Sequence, residues 1–392
     1  MKALFVHDNR FWVNNDNVYS YGHFAYSLLW KRYLKYFDSV TVGGRFFEAS
    51  ADECKTMSIS NGKNVNFFPL PNLATLSGLS KIREAHSIIR EKMAESDFVI
   101  IRLPSILGYV ACDEAIKMKK PYAVEVVGCA HDVYTNHSNI GKCLSPIMTF
   151  LEKKYVKRAP NVLYVSRHFL QNRYPNKHFN ISCPDTNITC FDTSVLERRL
   201  KKINQMAAQA EIRIGLIASM NVDYKGHDTA IKAVSLLKEK YPSIKLCFLG
   251  DGNQDRWKQY SKEYDVLKHI EFCGALPGGA PVLNWLDEID IFIMPSLQET
   301  LGRALVEAMS RACPAIGGAG TAVPEQLPDD CIHERKNHKQ LAEMIMYMIE
   351  HPNYMKICAE ENFVRSKKYS EYILEERRDY FWKTAGGRFE EN

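Results

Sequence analysis

The stretch PSLQETLGRALVEAMSRACPAIGGAGTAVPEQL, from Pro295 to Leu327, places two glutamates, several glycines and a predicted helix within one short span. It follows IDIFIMP, an apolar run that is typical of a buried strand. Apolar residues then recur at the spacing of a helix, and Thr300 is a suitable N-cap for that helix. The pattern predicts a strand, a turn and a helix, which is the repeating unit of parallel α/β folds.

The turn at Glu299 is where such a fold is expected to bind its ligand. Open α/β sheets bind ligands at the carboxyl ends of their strands, and Glu299 and Gly302 lie between the strand and the helix. Free N–H groups at a helix start suit a phosphate, and a glycine allows close approach. We therefore expect a pyrophosphate here. Glu307 reaches the same ligand only if the ligand is long, as a nucleotide sugar is.

Two other interpretations of these glutamates were weighed. In the first, Glu307 is a solvated charge on an amphipathic helix and Glu299 is an acid favoured by the helix dipole. In the second, the pair serves a glycosidase, which needs carboxyl groups about 5 to 9.5 Å apart. A helix of eight residues rises by about 12 Å, so the spacing disfavours the glycosidase and leaves the structural interpretation open.

Strand–helix alternation extends over the whole chain in two blocks. Strands are predicted to begin at Ala3, Ser39, Asp97, Tyr122 and Asn161, and again at Ile212, Ile244, His269, Ile289 and Pro314. The alternation breaks between residues 175 and 210, and 392 residues exceed the roughly 250 to 300 that one core supports. We predict Rossmann-like domains over residues 1–190 and 191–369. A closing helix over 370–392 is expected to pack back on the first domain and to bury Tyr372, Ile373, Tyr380, Phe381 and Trp382.

Composition excludes several classes of protein. The net charge of +5 is mild and no long basic run occurs, which argues against a nucleic-acid partner. The 11 cysteines are scattered without a C-x2-C pair, which is typical of reduced thiols and predicts no metal site. The first apolar run is too short for a signal peptide, and no run is long enough for a membrane span. We expect a cytoplasmic protein.

The motif P-S-x-x-E-x-x-G-x-x-x-x-E-A-M resembles the E-x7-E signature of the family 4 retaining glycosyltransferases (glycosyl transferases group 1). The segments IASMNVDYKGHDTAIKAVSLL, LGDG, EFCGAL and GTAVPE follow the same family's order in the second block. The first block matches more loosely, through a turn at Gly22, VEVVG before His131, and YVSRHFLQNRYP. The resemblance implies a GT-B fold, in which two Rossmann-like domains with parallel sheets face an interdomain cleft, the first binding the acceptor and the second the donor.

The resemblance also assigns roles on the donor side. Glu299 is expected to hold hydroxyls of the donor sugar, Glu307 the ribose hydroxyls, and Lys225 of YKGHD the diphosphate. Lys225 would then act as an electrostatic catalyst, because the leaving nucleoside diphosphate needs positive charge; the alternative is a surface lysine beside a turn glycine. The remaining donor-side residues are Thr300, Leu301, Gly302, Arg303 and Glu325.

One position departs from the family pattern. The family often has an arginine five residues before the motif lysine, where this chain has Met220. Either Arg303 or another basic residue replaces that arginine, or the diphosphate is held more weakly.

The first domain is expected to contribute His131 to catalysis, and Gly22 and Asp132 to the acceptor side. His131 follows a predicted strand and matches the family's histidine beside the donor sugar, which gives it a catalytic role. A histidine satisfied by local hydrogen bonds is an equally good interpretation. Asp132 would orient the acceptor hydroxyl instead, and the sequence does not rank the two.

The function implied by the resemblance is a hexosyltransferase that retains the configuration of the donor sugar and needs no protein nucleophile, metal or cofactor. It would move a sugar from a UDP- or GDP-sugar to a glycan or lipid-linked glycan, in surface polysaccharide biosynthesis. A GT-B nucleotide-sugar epimerase is one alternative, which the pairing of YKGHD with E-x7-E disfavours. A degenerate binding or scaffolding relative is the other, and only Met220 favours it.

The segment HFAYSLLWKRYLKYF, residues 23–37, combines large apolar side chains with Lys31, Arg32 and Lys35. It suits an anionic membrane surface, which would give peripheral contact with the inner face of the membrane. The alternative is a first helix that packs Leu28, Leu29 and Trp30 inward and exposes its basic side, which we prefer for most of the segment.

Overall fold

The computed structural model describes residues 1–137, 139–186, 188–189, 191–206 and 211–386. The chain divides into two compact units: unit 1 comprises Met1–Cys183 and Glu376–Asn392, and unit 2 comprises Pro184–Glu375. The division falls inside the segment where the sequence breaks its strand–helix alternation. Residues 387–392 of the predicted closing helix lie outside the described part of the chain.

Unit 1 is built on a nine-stranded sheet within the described residues. Its strands are β1 (Lys2–Asn14), β2 (Asn17–Ser20), β3 (Ser39–Glu48), β4 (Ser58–Ile59), β5 (Val65–Pro69), β6 (Phe98–Leu103), β7 (Tyr122–Val126), β8 (Asn161–Tyr164) and β9 (Phe179–Ser182). Parallel neighbours run in the order β5-β3-β1-β6-β7-β8-β9, and β2 and β4 add an antiparallel edge. Every residue of β6 and β7 is buried, as expected for central strands that are covered on both faces.

The helices of unit 1 cover this sheet. They are α1 (Lys31–Tyr33), α2 (Ala51–Cys54), α3 (Leu76–Leu79), α4 (Ile82–Ala94), α5 (Ile106–Met118), α6 (Ala130–His137), α7 (Asn139–Arg158) and α8 (Phe169–Arg173). Short 3₁₀ and π-helical turns, Gly22–Phe24 and Tyr26–Trp30, precede α1. Apolar side chains of the strands and of α4, α5 and α7 form one core cluster.

Unit 2 has a six-stranded sheet in the described residues, and all its strand pairs are parallel. Its strands are β10 (Ile212–Ile217), β11 (Ile244–Leu249), β12 (Ile270–Gly274), β13 (Ile291–Met294), β14 (Ala315–Gly318) and β15 (Ile332–His333), in the order β12-β11-β10-β13-β14-β15. Its helices are α9 (Thr193–Gln205), α10 (His227–Leu237), α11 (Asp255–Glu263), α12 (Ala280–Glu288), α13 (Arg303–Ser310), α14 (His338–Glu350) and α15 (Pro352–Ser366). Both units are therefore Rossmann-like, as the sequence predicts.

The last helix, α16 (Glu371–Gly386), begins in unit 2 and ends in unit 1. Phe381 and Trp382 are buried, and the Trp382 ring meets Tyr33 edge to face with centroids 5.4 Å apart. The expectation that all the large side chains of this helix are buried is wrong, because Tyr372 and Tyr380 are 72% and 60% exposed. Only one stripe of the helix faces the core of unit 1.

None of the helices in the described part of the chain combines the length and the apolar character needed to cross a bilayer.

Candidate functional site

Three loops meet at the carboxyl edge of the unit 2 sheet, where an open α/β fold binds ligands. They follow the adjacent strands β10, β13 and β14, over residues 218–226, 295–302 and 319–326. The Leu297 N–H donates to the Tyr224 carbonyl at 2.7 Å, and the Ala322 N–H donates to the Glu299 carbonyl at 2.9 Å. These bonds fix the central loop, which carries Glu299, against both of its neighbours.

Gly226 makes the contact between the first two loops possible. Its φ of +80° is a left-handed conformation, and a Cβ at this position would lie 2.3 Å from the Pro295 carbonyl oxygen. Only glycine satisfies both conditions. The turn that ends at Gly226 therefore sits directly on the end of β13 and holds Lys225 beside the central loop.

The resulting contact joins the two principal residues predicted from the sequence. Lys225 Nζ lies 2.6 Å from Glu299 Oε1, and the two side chains are 24% and 13% exposed. A partly buried ion pair is stabilised more by its mutual attraction than an exposed pair is. The pair presents a cation and a carboxylate at one edge of the sheet.

The helix after Glu299 begins differently from the prediction. Thr300 is not its N-cap: α13 starts at Arg303, and the N-cap is Gly302, with φ +72° and no side-chain cap. A left-handed glycine turns the chain sharply before the helix, so the first N–H groups of α13 are not bonded by a capping side chain. Leu301 is buried, and its carbonyl accepts a hydrogen bond from Gln326 Nε2.

Gln326 was not identified from the sequence, although it follows Glu325 in the GTAVPEQL segment. Its amide ties the third loop to the turn before α13. Its Oε1 atom is buried and has no hydrogen-bond partner among the described residues. Glu325 itself is half-buried at the end of the 3₁₀ turn Val323–Glu325.

Glu307 lies on the second turn of α13 and is half-buried rather than a fully solvated charge. Burial raises the pKa of its carboxyl, while the positive charge of Arg303 four residues earlier opposes that rise. Arg303 is exposed at the helix start. The half-buried position of Glu307 differs from that of a fully solvated charge, and the role of Glu307 toward the ribose stays a prediction.

Met220 occupies the core of unit 2. Its side chain is fully buried, and its carbonyl accepts a hydrogen bond of 2.9 Å from Trp257 Nε1. At the position where the family often has an arginine, this chain therefore has an apolar side chain that packs in the core. The residue that takes over the arginine's role, Arg303 or another, stays a prediction.

His227 follows Gly226 and was quoted in the YKGHD motif without a role. It is fully buried, its ring stacks on Trp257 with centroids 4.8 Å apart, and both ring nitrogens lack partners among the described residues. Burial, followed by the charge of Lys225, lowers the pKa of His227 to about 4. His227 is therefore a neutral residue that packs in the core directly after the loop over residues 218–226.

His131 and Asp132 belong to unit 1, at the start of α6. His131 is 56% exposed in its side chain, and its Nδ1 lies 3.1 Å from the buried Asp132 carboxylate, which also accepts from Arg173 Nη1 at 3.3 Å. The local hydrogen bond considered for His131 is therefore present. The roles of His131 and Asp132 toward substrates stay predictions.

Glu152 of α7 supports the same turn and was missed from the sequence. It is fully buried, and its Oε2 accepts the Ala130 N–H at 2.8 Å. Burial raises the pKa of Glu152 to about 8. Its place in a lysine-rich helix gave no signal that it points inward.

Gly22 begins the 3₁₀ turn before α1, with φ +67° and open space where a Cβ would be. The segment after it packs Leu29 and Trp30 inward, as the preferred interpretation predicts, but Leu28 is 52% exposed. The expectation for Leu28 is wrong because the π-helical turn Tyr26–Trp30 changes which side chains face the core.

Potential metal ligands cluster at one place in the described part of unit 1. The described residues contain one cluster that could hold an ion, His86, Asp113 and Glu114 on α4 and α5 of unit 1. Glu114 already pairs with Arg90 at 2.7 Å, so the cluster's buried carboxylate has a cationic partner. A metal-independent reaction stays a prediction.

The resemblance predicts separate donor contacts for Lys225 and Glu299, and the structure brings these two side chains together at the ligand edge of unit 2. The fold and the comparisons with known proteins define the class, which is the GT-B glycosyltransferases. The chain belongs to the family of glycosyl transferases group 1, which matches residues 203–364. It is 35% identical over 384 residues to protein CapJ of Staphylococcus aureus, across 96% of this chain and 92% of CapJ.

Other relatives match smaller parts of the chain or its fold. The amylovoran biosynthesis glycosyltransferase AmsK of Erwinia amylovora is 26% identical over 159 residues, which is 39% of each chain. The crystal structure of Anabaena HepE in complex with UDP-glucose has a TM-score of 0.65 and 16% identity, covering 98% of this chain and 100% of HepE. At that identity the likeness shows the fold alone, and the fold is GT-B.

Proposed function

We propose that this glycosyltransferase is a retaining, metal-independent hexosyltransferase that uses a UDP- or GDP-sugar. The observation that carries the proposal is the 2.6 Å contact between Lys225 Nζ and Glu299 Oε1 at the ligand edge of unit 2. A nucleotide sugar needs a cation at its diphosphate and acceptors for its sugar hydroxyls, and this pair supplies both. The structure of HepE with UDP-glucose supports a uridine nucleotide as the first donor to test.

In the proposed reaction, the bond between the anomeric carbon and the β-phosphate oxygen breaks, and the acceptor oxygen bonds to the same face of that carbon. The acceptor proton passes to the departing phosphate oxygen. The products are the glycosylated acceptor, with retained configuration, and the nucleoside diphosphate. Lys225 stabilises the charge that develops on the diphosphate, which is the kind of preorganised electrostatic contribution that lowers a barrier most.

The other donor contacts follow the order of the loop. Glu299 accepts hydrogen bonds from the donor sugar, and the N–H groups that follow Gly302 meet the diphosphate. Glu307 accepts from the ribose hydroxyls, which would form hydrogen bonds to a charged group worth about 1.5 to 3 kcal/mol each. Glu325 and Arg303 lie beside this path, at the third loop and at the helix start.

The acceptor is proposed to be a glycan or lipid-linked glycan of a surface polysaccharide, met from the cytoplasm by peripheral contact with the membrane. The name of AmsK, an amylovoran biosynthesis enzyme, supports a polysaccharide pathway. In unit 1, Asp132 and the turn at Gly22 are the proposed groups on the acceptor side, and His131 is the proposed catalytic residue beside the donor sugar.

The test begins with calorimetry of the purified chain against UDP, GDP, ADP and their common sugars. Saturable, selective binding that weakens in Glu307→Ala but not in the exposed control Glu239→Ala supports the proposal. Turnover with an acceptor, product anomeric configuration by NMR, and rates unchanged by EDTA then test retention and metal independence. No nucleotide binding at all would overturn the proposal, and binding without turnover on any acceptor would favour a scaffolding relative.

A further inference from the structure

Helix α7 of unit 1 exposes a row of large apolar side chains. Ile140, Leu144, Ile147 and Phe150 are 66%, 40%, 57% and 65% exposed. Steps of four, three and three residues place them on one face of a helix. Monomeric soluble proteins rarely expose contiguous apolar patches larger than a few hundred Å², so a row of this kind indicates a binding surface.

The inward face of the same helix is fully used. Its buried side chains are Ser145, Met148, Glu152, Tyr155 and Val156. The exposed apolar row is therefore not the core-facing side of α7, because a separate stripe of the helix packs on the sheet of unit 1. The helix has one face for the fold and another for a partner.

The charges on the helix identify the chemistry of that partner. Lys142, Lys153, Lys157 and Arg158 are exposed, and the one acidic side chain of α7, Glu152, is fully buried. The outward side of α7 therefore carries apolar residues in its first turns and positive charges in its last turns. This combination suits a partner that has an apolar interior beneath a negatively charged surface layer.

We infer that the outward face of α7, defined by Ile140, Leu144, Ile147, Phe150 and the basic residues that follow them, docks on an anionic lipid bilayer. The inference rests on the part of the proposed function that brings the enzyme to a membrane, and it names the surface. Amphipathic helices with this distribution lie in the membrane interface with the apolar face in the acyl boundary. Lysine and arginine stems reach from there to the phosphates of the headgroups.

This face replaces the one considered from the sequence, residues 23–37. In that segment the largest apolar side chains, Trp30, Tyr33 and Phe37, are buried in unit 1. A second copy of this chain is a poorer partner for α7 than a bilayer, because two such faces in contact would bring their basic ends into a low-dielectric interface without acidic partners.

The experiment is co-sedimentation of the full chain with vesicles of phosphatidylcholine alone and with about one third phosphatidylglycerol. Ile147→Ser with Phe150→Ser, and Lys153→Glu with Lys157→Glu, are each expected to weaken binding to the anionic vesicles by at least roughly tenfold. Matched controls are Ile357→Ser with Val364→Ser, which are 53% and 59% exposed on α15, and Lys31→Glu with Lys35→Glu. Neither control pair should change binding.

A fluorescence readout reports insertion directly. Phe150→Trp is expected to show a blue-shifted emission when anionic vesicles are added, and no shift with phosphatidylcholine alone. Nucleotide binding by calorimetry should stay unchanged in all the α7 variants, which separates this inference from the proposed donor site.

Three outcomes would overturn the inference. The wild type is expected to bind the anionic vesicles. A wild type that does not bind them but still binds its nucleotide refutes the docking surface and leaves the proposed donor site standing. Loss of binding in the Lys31/Lys35 variant with retention in the α7 variants assigns the contact to the earlier segment. A dimer of the wild type that Phe150→Ser dissociates identifies a protein interface instead.

Discussion

Lys225 Nζ lies 2.6 Å from Glu299 Oε1 although 74 residues separate them in the chain. The contact exists because β10 and β13 are parallel neighbours and their following loops are tied by the hydrogen bond between Leu297 and Tyr224. Sequence similarity assigned both residues to the donor, but to different parts of it. Their direct pairing means that each also sets the charge environment of the other.

Replacing Glu299 by glutamine is expected to reduce kcat by about 10² to 10³, the usual cost of one preorganised transition-state contact. Glutamine keeps the shape but loses the charge that Lys225 holds in place. UDP affinity should change little, because the proposed partner of Glu299 is the sugar and not the nucleotide. Steady-state kinetics and calorimetry on Glu299→Gln, with Glu239→Gln as the exposed control, measure the two effects.

Lys225→Ala is the companion change and has the opposite profile. It removes the cation that is proposed to hold the diphosphate, and it takes away the lysine partner of the Glu299 carboxylate. UDP affinity should therefore fall by at least about tenfold, which corresponds to about 1.4 kcal/mol. Equal losses of UDP affinity in the Glu299 and Lys225 variants would contradict the division of roles.

The half-buried Glu307 carboxylate is expected to lower the stability of the folded chain while it strengthens UDP binding. Because burial raises its pKa in the folded chain, the unfolded state loses this proton first as pH rises above the ordinary value of 4.5. The free energy of unfolding therefore falls as pH increases through the interval up to the raised pKa. Glu307→Gln lacks this ionisation, so it should unfold at an equal or higher temperature at pH 7 while binding UDP more weakly.

The measurement is a series of thermal unfolding curves between pH 4 and 8, with and without UDP. In the wild type, UDP affinity should increase as pH rises through the same interval, since the carboxylate is the better acceptor for ribose hydroxyls. A pH-independent affinity in the wild type, or a Glu307→Gln variant that binds UDP normally, would count against the ribose contact.

Two glycines of the site should differ in their tolerance of a methyl group. Gly302→Ala meets mainly the left-handed strain of about 1 to 2 kcal/mol, because its new Cβ lies 3.1 Å from the end of the Met294 side chain. Gly226→Ala adds a contact of 2.3 Å with a backbone oxygen, that of Pro295. It should therefore be the more destabilising of the two.

Gly278→Ala is the matched control, since nothing lies within 4 Å of its added Cβ. At about 2 to 4 °C per kcal/mol for a unit of this size, Gly302→Ala should lower the unfolding temperature by roughly 2 to 8 °C and Gly226→Ala by more. A Gly226→Ala variant as stable as the Gly278→Ala control would show that Gly226 does not lie in close contact with the Pro295 carbonyl.

The sequence predicted much of the fold because parallel strands are continuous apolar runs. Every strand predicted from such a run is present, from β1 to β14. The missed strands are short or antiparallel: β2, β4, β5, β9 and β15. Their side chains alternate or are too few to form a pattern, and their pairing depends on neighbours that are distant in the chain.

The site was predicted to a different extent. The residues Lys225 and Glu299 followed from motifs, but the start of α13 did not, because the left-handed Gly302 is selected by its packing near Met294 and Gln326 rather than by local sequence. Glu152 was missed for the same reason: only the tertiary fold turns this one acid of α7 inward. Contacts between loops are set by strand order, which motifs do not encode.

Met220 stands where the family often has an arginine, and its buried side chain leads to a prediction about stability and UDP affinity. Met220→Arg would place a charge in the core of unit 2, at a cost of roughly 3 kcal/mol or more, while the volume-conserving Met220→Leu should cost less than about 1.5 kcal/mol. We expect the arginine variant to unfold at a clearly lower temperature and to bind UDP no more tightly. A stable Met220→Arg chain with improved UDP affinity would contradict the packing role.

Arg303→Ala tests the proposed replacement for that arginine. It should weaken UDP binding by several-fold, whereas Arg365→Ala, which removes a half-exposed cation paired with Glu361 on α15, should not. Arg303 also opposes the raised pKa of Glu307, so its removal should move the pH at which UDP binding strengthens to a higher value. Calorimetric titration across pH separates the two effects. A loss of UDP affinity without a displacement in pH indicates that Arg303 contacts the diphosphate only. If neither the affinity nor its pH dependence changes, Arg303 is excluded from the donor site.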